Sequence, residues 1–300
     1  MLQAALALGL SLCGSAYAAP PMNALGSNPV PATAKLAETG LIAPWAVILN
    51  PNLPLIQRQH ALAAVEHKAL RGDVFELYML GSLYHMGEYG RSALVRKNLV
   101  KASLYLGNAA VRGSVLAMAK MAEIKYATHD YREAMNWAQI YAHYASLLPR
   151  GRRPHDGYVA ELVKRILDKL GQSAMPSIMR DADSFMALHD ATIRTYAAHQ
   201  RRNDIVLRGR RSVPFLTAEG QLAPRAGFAD YLLGFKPDGS LSQVWLLDAV
   251  PDPQLGLALQ RTVDQTRASA VAATSGESST RYAWLPVIYD DGRYRVALQR

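Results

Sequence analysis

The sequence predicts a multidomain α plus α+β protein, a short α-helical solenoid followed by a small β-β-α-β domain. Two observations carry that reading. A block of helical-period sequence recurs 41 residues downstream of itself. In the last ninety residues, apolar runs of strand length flank a sharply signalled helix start at Asp252-Pro253. Composition agrees with a folded chain, since 50% of the 300 residues are hydrophobic and 19% are charged.

The first segment is a candidate export signal. Leu2 to Leu12 is almost wholly apolar, too short to span a bilayer as a helix, and runs into Ala16-Tyr17-Ala18. Ala16-x-Ala18 is the small-x-small pattern of a cleavage site, so residues 1–18 read as a signal peptide and the mature protein as periplasmic or secreted. Cys13, after Leu10-Ser11-Leu12, offers the alternative of an outer-membrane lipoprotein. It is the single cysteine, which excludes a disulfide framework and a cysteine-built metal site.

Residues 19–54 hold seven prolines and read as a linker, although the apolar stretch Leu41 to Leu49 is expected to dock on the adjoining domain. Residues 55–175 read as the repeat domain. Ala69-Leu70-Arg71-Gly72-Asp73-Val74 recurs as Ala110-Val111-Arg112-Gly113-Ser114-Val115. A second alignment sets Ala102, Tyr105, Leu106, Ala109 and Ala110 on Ala134, Trp137, Ala138, Tyr141 and Ala142, now 32 residues apart. The spacing i, i+3, i+4, i+7, i+8 is one helical face. Small alanines beside one aromatic allow a partner helix to approach closely. Gly72 and Gly113 fall where each helix must end. The expected repeat core is Leu80, Gly81, Tyr84, Ala102, Tyr105, Ala109, Gly113, Met121, Ala134, Trp137 and Tyr141.

Residues 176–211 read as a further helix from Ser184 to Gln200 and a basic linker. Asp181 and Asp183 are expected to precede that helix and favour its N-terminus. Residues 212–300 change character. Phe228 to Phe235 reads as a strand, Lys236-Pro237-Asp238-Gly239 as a turn, Leu241 to Val250 as a strand, and Asp252 as a helix cap. Arg281 to Tyr289 and Tyr294 to Leu298 read as the closing strands.

Two family resemblances sit on these residues. Leu80-Gly81-x-Leu83-Tyr84 and Lys101-Ala102-x-x-Tyr105-x-x-x-Ala109-Ala110-x-x-Gly113 resemble the Sel-one-like repeats, relatives of tetratricopeptide repeats, over roughly residues 55–148. That resemblance implies protein–protein binding on a concave surface and no catalysis by the repeats. Gly227, Gly234-Phe235-Lys236-Pro237-Asp238-Gly239-Ser240-Leu241 and Pro251-x-x-x-Leu255-x-x-Ala258-Leu259 resemble the C-terminal domain of TonB-type energy transducers. That resemblance implies binding of outer-membrane receptors by strand addition at a sheet edge.

Chemistry is sparse by comparison. The sequence contains no G-x-S-x-G elbow, Walker A loop or H-E-x-x-H motif. The eight histidines are scattered, and the carboxylate pairs Asp248 with Asp252 and Asp290 with Asp291 read as turn and cap residues. No catalytic, cofactor-binding or metal-ligating residue is expected, and the protein reads as a non-enzyme. The formal charge of +9 gathers at the two junctions, in Arg150, Arg152 and Arg153 and in Arg201, Arg202, Arg208, Arg210 and Arg211. The second cluster is a candidate contact for an anionic envelope surface, and nucleic acid is not expected. The expectation is an exported interaction module whose partners are proteins of the periplasm or outer membrane. The alternatives are an accessory factor in receptor-linked transport and an envelope glycan-processing enzyme.

Overall fold

The computed structural model describes residues 42–89, 94–148, 156–199, 205, 207–208, 212–214, 225–269, 280–290 and 293–296. The expected signal peptide and Cys13, the linker up to residue 41, and Arg150, Arg152, Arg153, Arg201, Arg202, Arg210 and Arg211 lie outside them. Arg208 is described as backbone only.

The helices come first, and several start where a capping side chain or a proline sets them. Helix α1 (Ala43–Leu49) has Pro44 in its first turn, where the missing N–H costs nothing. It is followed by α2 (Leu55–Leu70), α3 (Val74–Met86), α4 (Leu99–Val111), α5 (Val115–Ala127) and α6 (Tyr131–Leu147). The last two helices of this part are α7 (Asp156–Leu170) and α8 (Met175–His199). The Asp73 carboxylate accepts from Phe75 N–H and Glu76 N–H at the start of α3, and Asn98 and Asp130 cap α4 and α6 in the same way. Gly72 and Gly113 close α2 and α4 at φ of +88° and +112°, a conformation glycine adopts without steric cost. Gly81 serves a different need: a Cβ there would come within 2.5 Å of Leu106 Cγ, so its absence lets α3 and α4 pack closely.

Helices adjacent in the chain pack against one another from α1 to α7, and α8 returns to pack on α6 and α4. Among the expected repeat-core positions, Leu80, Gly81, Tyr84, Ala102, Ala109, Gly113, Met121, Ala134 and Tyr141 are buried, while Tyr105 and Trp137 are half-buried. Tyr84 and Tyr105 stack at 5.9 Å between centroids. Trp137 meets Phe185 of α8 edge-on.

The sheet comes after the helices. Its five strands lie in the order β2 (Ser212–Pro214), β7 (Arg293–Val296), β6 (Arg281–Asp290), β3 (Gly227–Phe235), β4 (Leu241–Val250), and all pairings are antiparallel. A two-stranded ribbon joins β1 (Leu207–Arg208) to β5 (Arg267–Ala268). Helix α9 (Pro253–Val263) is capped by Asp252 and packs on β4 and β3. Every residue of β3 is buried, as a central strand covered on both faces requires. One face carries Phe228, Leu232, Leu247 and Trp284 into a core shared with the helices. The other carries Ala229, Tyr231, Leu233 and Leu285 into a second core with Leu255 and Leu259 of α9.

Three expectations change here. The described helices and strands fall in one compact unit, where the sequence predicts separate domains; α3 and one face of the sheet bury apolar surface in a shared core. The linker expected over residues 19–54 gives way in its described part to helix α1, whose Trp45, Ile48 and Leu49 are fully buried in the shared core, the docking expected of Leu41 to Leu49. Helix α8 starts at Met175, about two and a half turns before Ser184. Asp181 therefore lies within the helix, 2.5 Å from the Arg132 guanidinium of α6.

The segment around α1 also holds a pH-sensitive contact. Trp45 Nε1–H donates to Glu76 Oε2 at 2.6 Å. Burial pushes the Glu76 carboxyl up to about 7, against the hydrogen bond from Trp45 and the Lys68 charge at 3.8 Å. The folded protein therefore holds a proton there that the unfolded chain has lost, and stability falls as pH rises from the unfolded value near 4.5 through 7. The loss is ~3 kcal/mol across that window. Urea unfolding of the wild type against Glu76→Gln at pH 5 and pH 8 checks it, the glutamine chain lacking this part of the slope.

Candidate functional site: a buried lysine between two aspartates

The strongest concentration of chemistry lies at the seam between helices and sheet. Lys120 sits in Ala117-Met118-Ala119-Lys120-Met121-Ala122 of α5, every residue of which is buried. Its ammonium donates to Ser82 Oγ at 2.6 Å and to Asp248 Oδ2 at 2.6 Å, and meets Asp230 Oδ2 at 2.7 Å. Three donors thus meet three acceptors. Lys120, Asp230 and Asp248 all have 0% exposed side chains.

The carboxylates are held from all sides. Asp230 Oδ2 also accepts from the Tyr78 hydroxyl at 2.6 Å, and Asp230 Oδ1 accepts from Trp284 Nε1–H at 3.0 Å. Asp248 Oδ1 pairs with His85 Nδ1 at 2.8 Å. The Lys120 ammonium lies 4.7 Å from the centre of the Tyr78 ring and 5.6 Å from that of Phe228, at cation–π distances. Trp284 is flanked edge-on by Phe75 and Tyr78 of α3.

The two aspartates differ electrostatically. Burial holds Asp230 above the usual carboxylate range, outweighing Lys120 and the Tyr78 hydrogen bond. Burial also acts on Asp248, but the nearby His85 and Lys120 outweigh it and leave that carboxyl below the usual range. Burial and the Asp230 charge raise the Tyr78 hydroxyl well above its ordinary value. The arrangement therefore disfavours the charged form of one carboxyl and favours that of the other.

Register explains how both reach the same lysine. Asp230 and Asp248 are direct partners in the β3–β4 ladder, and an irregularity lies between Asp230 and Tyr231. Leu246 pairs with Tyr231, so Leu247 is the extra residue. Leu247 and Asp248 consequently both face the helices, where strict alternation would separate them. The reading of Asp248 as a turn or cap residue is corrected by this placement; Asp252 is the cap, accepting from Gln254 N–H.

A second buried pair lies nearby. Glu123, one turn beyond Lys120 on α5, accepts from both terminal nitrogens of Arg165 at 2.6 and 3.2 Å and from the Tyr158 hydroxyl at 3.0 Å. It ties α5 to α7. Among the described residues there is no group of three or more metal-ligating side chains.

A separate surface feature lies along β4, at the end of the sheet. No described strand pairs with its outer edge. Ser242 and Gln243 are exposed there. A depression beside them is lined by Trp245, Leu246 and Leu257, with Leu49 and Tyr89 from the helical part. The repeat-core residues contribute to neither feature.

Sequence reasoning misses the lysine–aspartate cluster. Its signal is nevertheless present: one lysine inside an apolar helix run, and one aspartate inside each of two apolar strands. Isolated charges in such runs need partners. No protein-family model, curated protein or solved structure matches the chain. Fold and site define a helical array backed by an antiparallel sheet and locked through a buried polar seam.

Proposed function

We propose that the protein is an exported, non-enzymatic interaction module of the bacterial envelope, its helical repeats serving as scaffold and the β4 edge as the binding surface. The observation that carries this reading is the open edge of β4, with exposed Ser242 and Gln243 beside an apolar depression. An unpaired strand edge offers main-chain donors and acceptors to an extended segment, and the depression offers a pocket for its side chains. The resemblances to Sel-one-like repeats and to the TonB C-terminal domain favour the same reading. The repeats themselves offer less inner surface than the resemblance implies, because α3 and α5 are buried along most of their length, partly against the sheet. Among the described residues no helix is long and apolar enough to cross a membrane.

The test is site-specific photo-crosslinking in the envelope. A photo-reactive residue at Gln243 is expected to give a discrete protein adduct, and one at Thr195, on the exposed side of α8, none. Equal labelling from both positions, or none from Gln243, sinks the proposal. An adduct with an outer-membrane receptor would place the module in receptor-linked transport.

A further inference from the structure

The Lys120 cluster has the geometry of a reaction as well as of an ion pair. We propose that Lys120 and Asp230 condense spontaneously to an intramolecular amide that welds α5 to β3, with Asp248 as the base.

Proximity favours this reaction. The Lys120 nitrogen touches Asp230 Oδ2 at 2.7 Å, and the carboxyl carbon lies one C–O bond behind that oxygen. Reacting atoms held about 3–3.5 Å apart in a fixed orientation gain effective molarities far beyond those of free groups. Each party has a separate role. The Asp230 carboxyl, whose charged form burial disfavours, is the electrophile when it carries a proton, because a carboxylic acid accepts an amine and a carboxylate repels one. Asp248, ionised and 2.6 Å from the same nitrogen, takes a proton from the ammonium. Trp284 Nε1–H points at Asp230 Oδ1, where negative charge develops on addition.

The atoms balance. The Lys120 ammonium gives one proton to Asp248, and the freed amine pair forms the N–C bond to the Asp230 carboxyl carbon. The C=O electron pair moves to Oδ1 beside Trp284. Return of that pair breaks the C–Oδ2 bond. Oδ2 leaves with the acid proton of the Asp230 carboxyl and a second from the nitrogen, as water. Asp248 keeps one proton, and no oxidant, reductant or cofactor is required. Zero exposure of all three side chains removes bulk water, the reagent of the reverse reaction. Ser82 and the Tyr78 and Phe228 rings keep the lysine from swinging away.

Peptide mapping of the full chain after digestion in denaturant tests this. The expected result is the Lys120 peptide joined to the Asp230 peptide, lighter than their sum by one water, with no tryptic cleavage after Lys120. Lys120→Arg is expected to abolish the joined species. Asp230→Asn is expected to give the same joined mass through loss of ammonia, provided that chain folds. Separate wild-type peptides at full mass overturn the proposal, and that measurement needs no variant to fold. Water lost instead at Asp238-Gly239, through succinimide closure, also overturns it, as does a link to Asp248.

Discussion

Replacing Lys120 by methionine is expected to lower the free energy of unfolding by about 3–5 kcal/mol. The side chain is fully buried, and methionine matches its length without its charge. The substitution leaves two aspartates facing each other across the β3–β4 ladder, with Ser82 Oγ stripped of its donor. Each carboxylate in a dry site carries a desolvation penalty, which in the wild type the Lys120 ammonium offsets before condensation and the amide removes from Asp230 after it. Asp230 keeps Tyr78 and Trp284 as hydrogen-bond donors; Asp248 is left with His85 alone. Chemical denaturation at neutral pH reads the loss. A double variant, Lys120→Met with Asp248→Leu, is expected to recover part of it, since an apolar replacement of both partners removes the unpaired charge. If Lys120→Met unfolds at the same urea concentration as the wild type, the seam carries no stability.

The second large effect falls on Trp45, in the apolar stretch that the sequence sets inside a proline-rich segment and expects to dock. Trp45→Ala is expected to cost about 3–5 kcal/mol. The indole is 0% exposed, and its N–H is the donor to the Glu76 carboxylate, itself fully buried. Its removal leaves a cavity beneath α1 and an acceptor without its partner. Arg58 adds a second tie, donating to the Ile48 carbonyl at the end of α1. The contrast is Val100→Ala on α4, 81% exposed, where a change within about 0.5 kcal/mol is expected. Thermal unfolding of the two chains side by side settles whether residues 42–54 belong to the folded unit; equal midpoints would show that they do not.

Both effects mark where the sequence is readable and where it is not. The 41-residue offset places Gly72 and Gly113 at corresponding helix ends, and both have positive φ. Asp73, Asn98, Asp130 and Asp252 cap helices, a local event set by a side chain reaching its own backbone a few residues on. The strands from Gly227 and Leu241 and the helix from Pro253 fall within a residue of their expected starts. Each of these depends on neighbours within one or two turns of chain.

The sequence by itself therefore determined the helices, their repeat and the β-β-α-β order, because period, capping and turn chemistry act over short separations. Only the tertiary structure decided that helices and sheet close on one another. It also decided that Lys120 meets Asp230 and Asp248 across more than a hundred residues of chain. A single inserted residue, Leu247, turns Asp248 toward the helices. The physical reason is that a buried charge is placed by its surroundings, and surroundings built from distant segments leave only an unexplained lysine in an apolar helix as their trace.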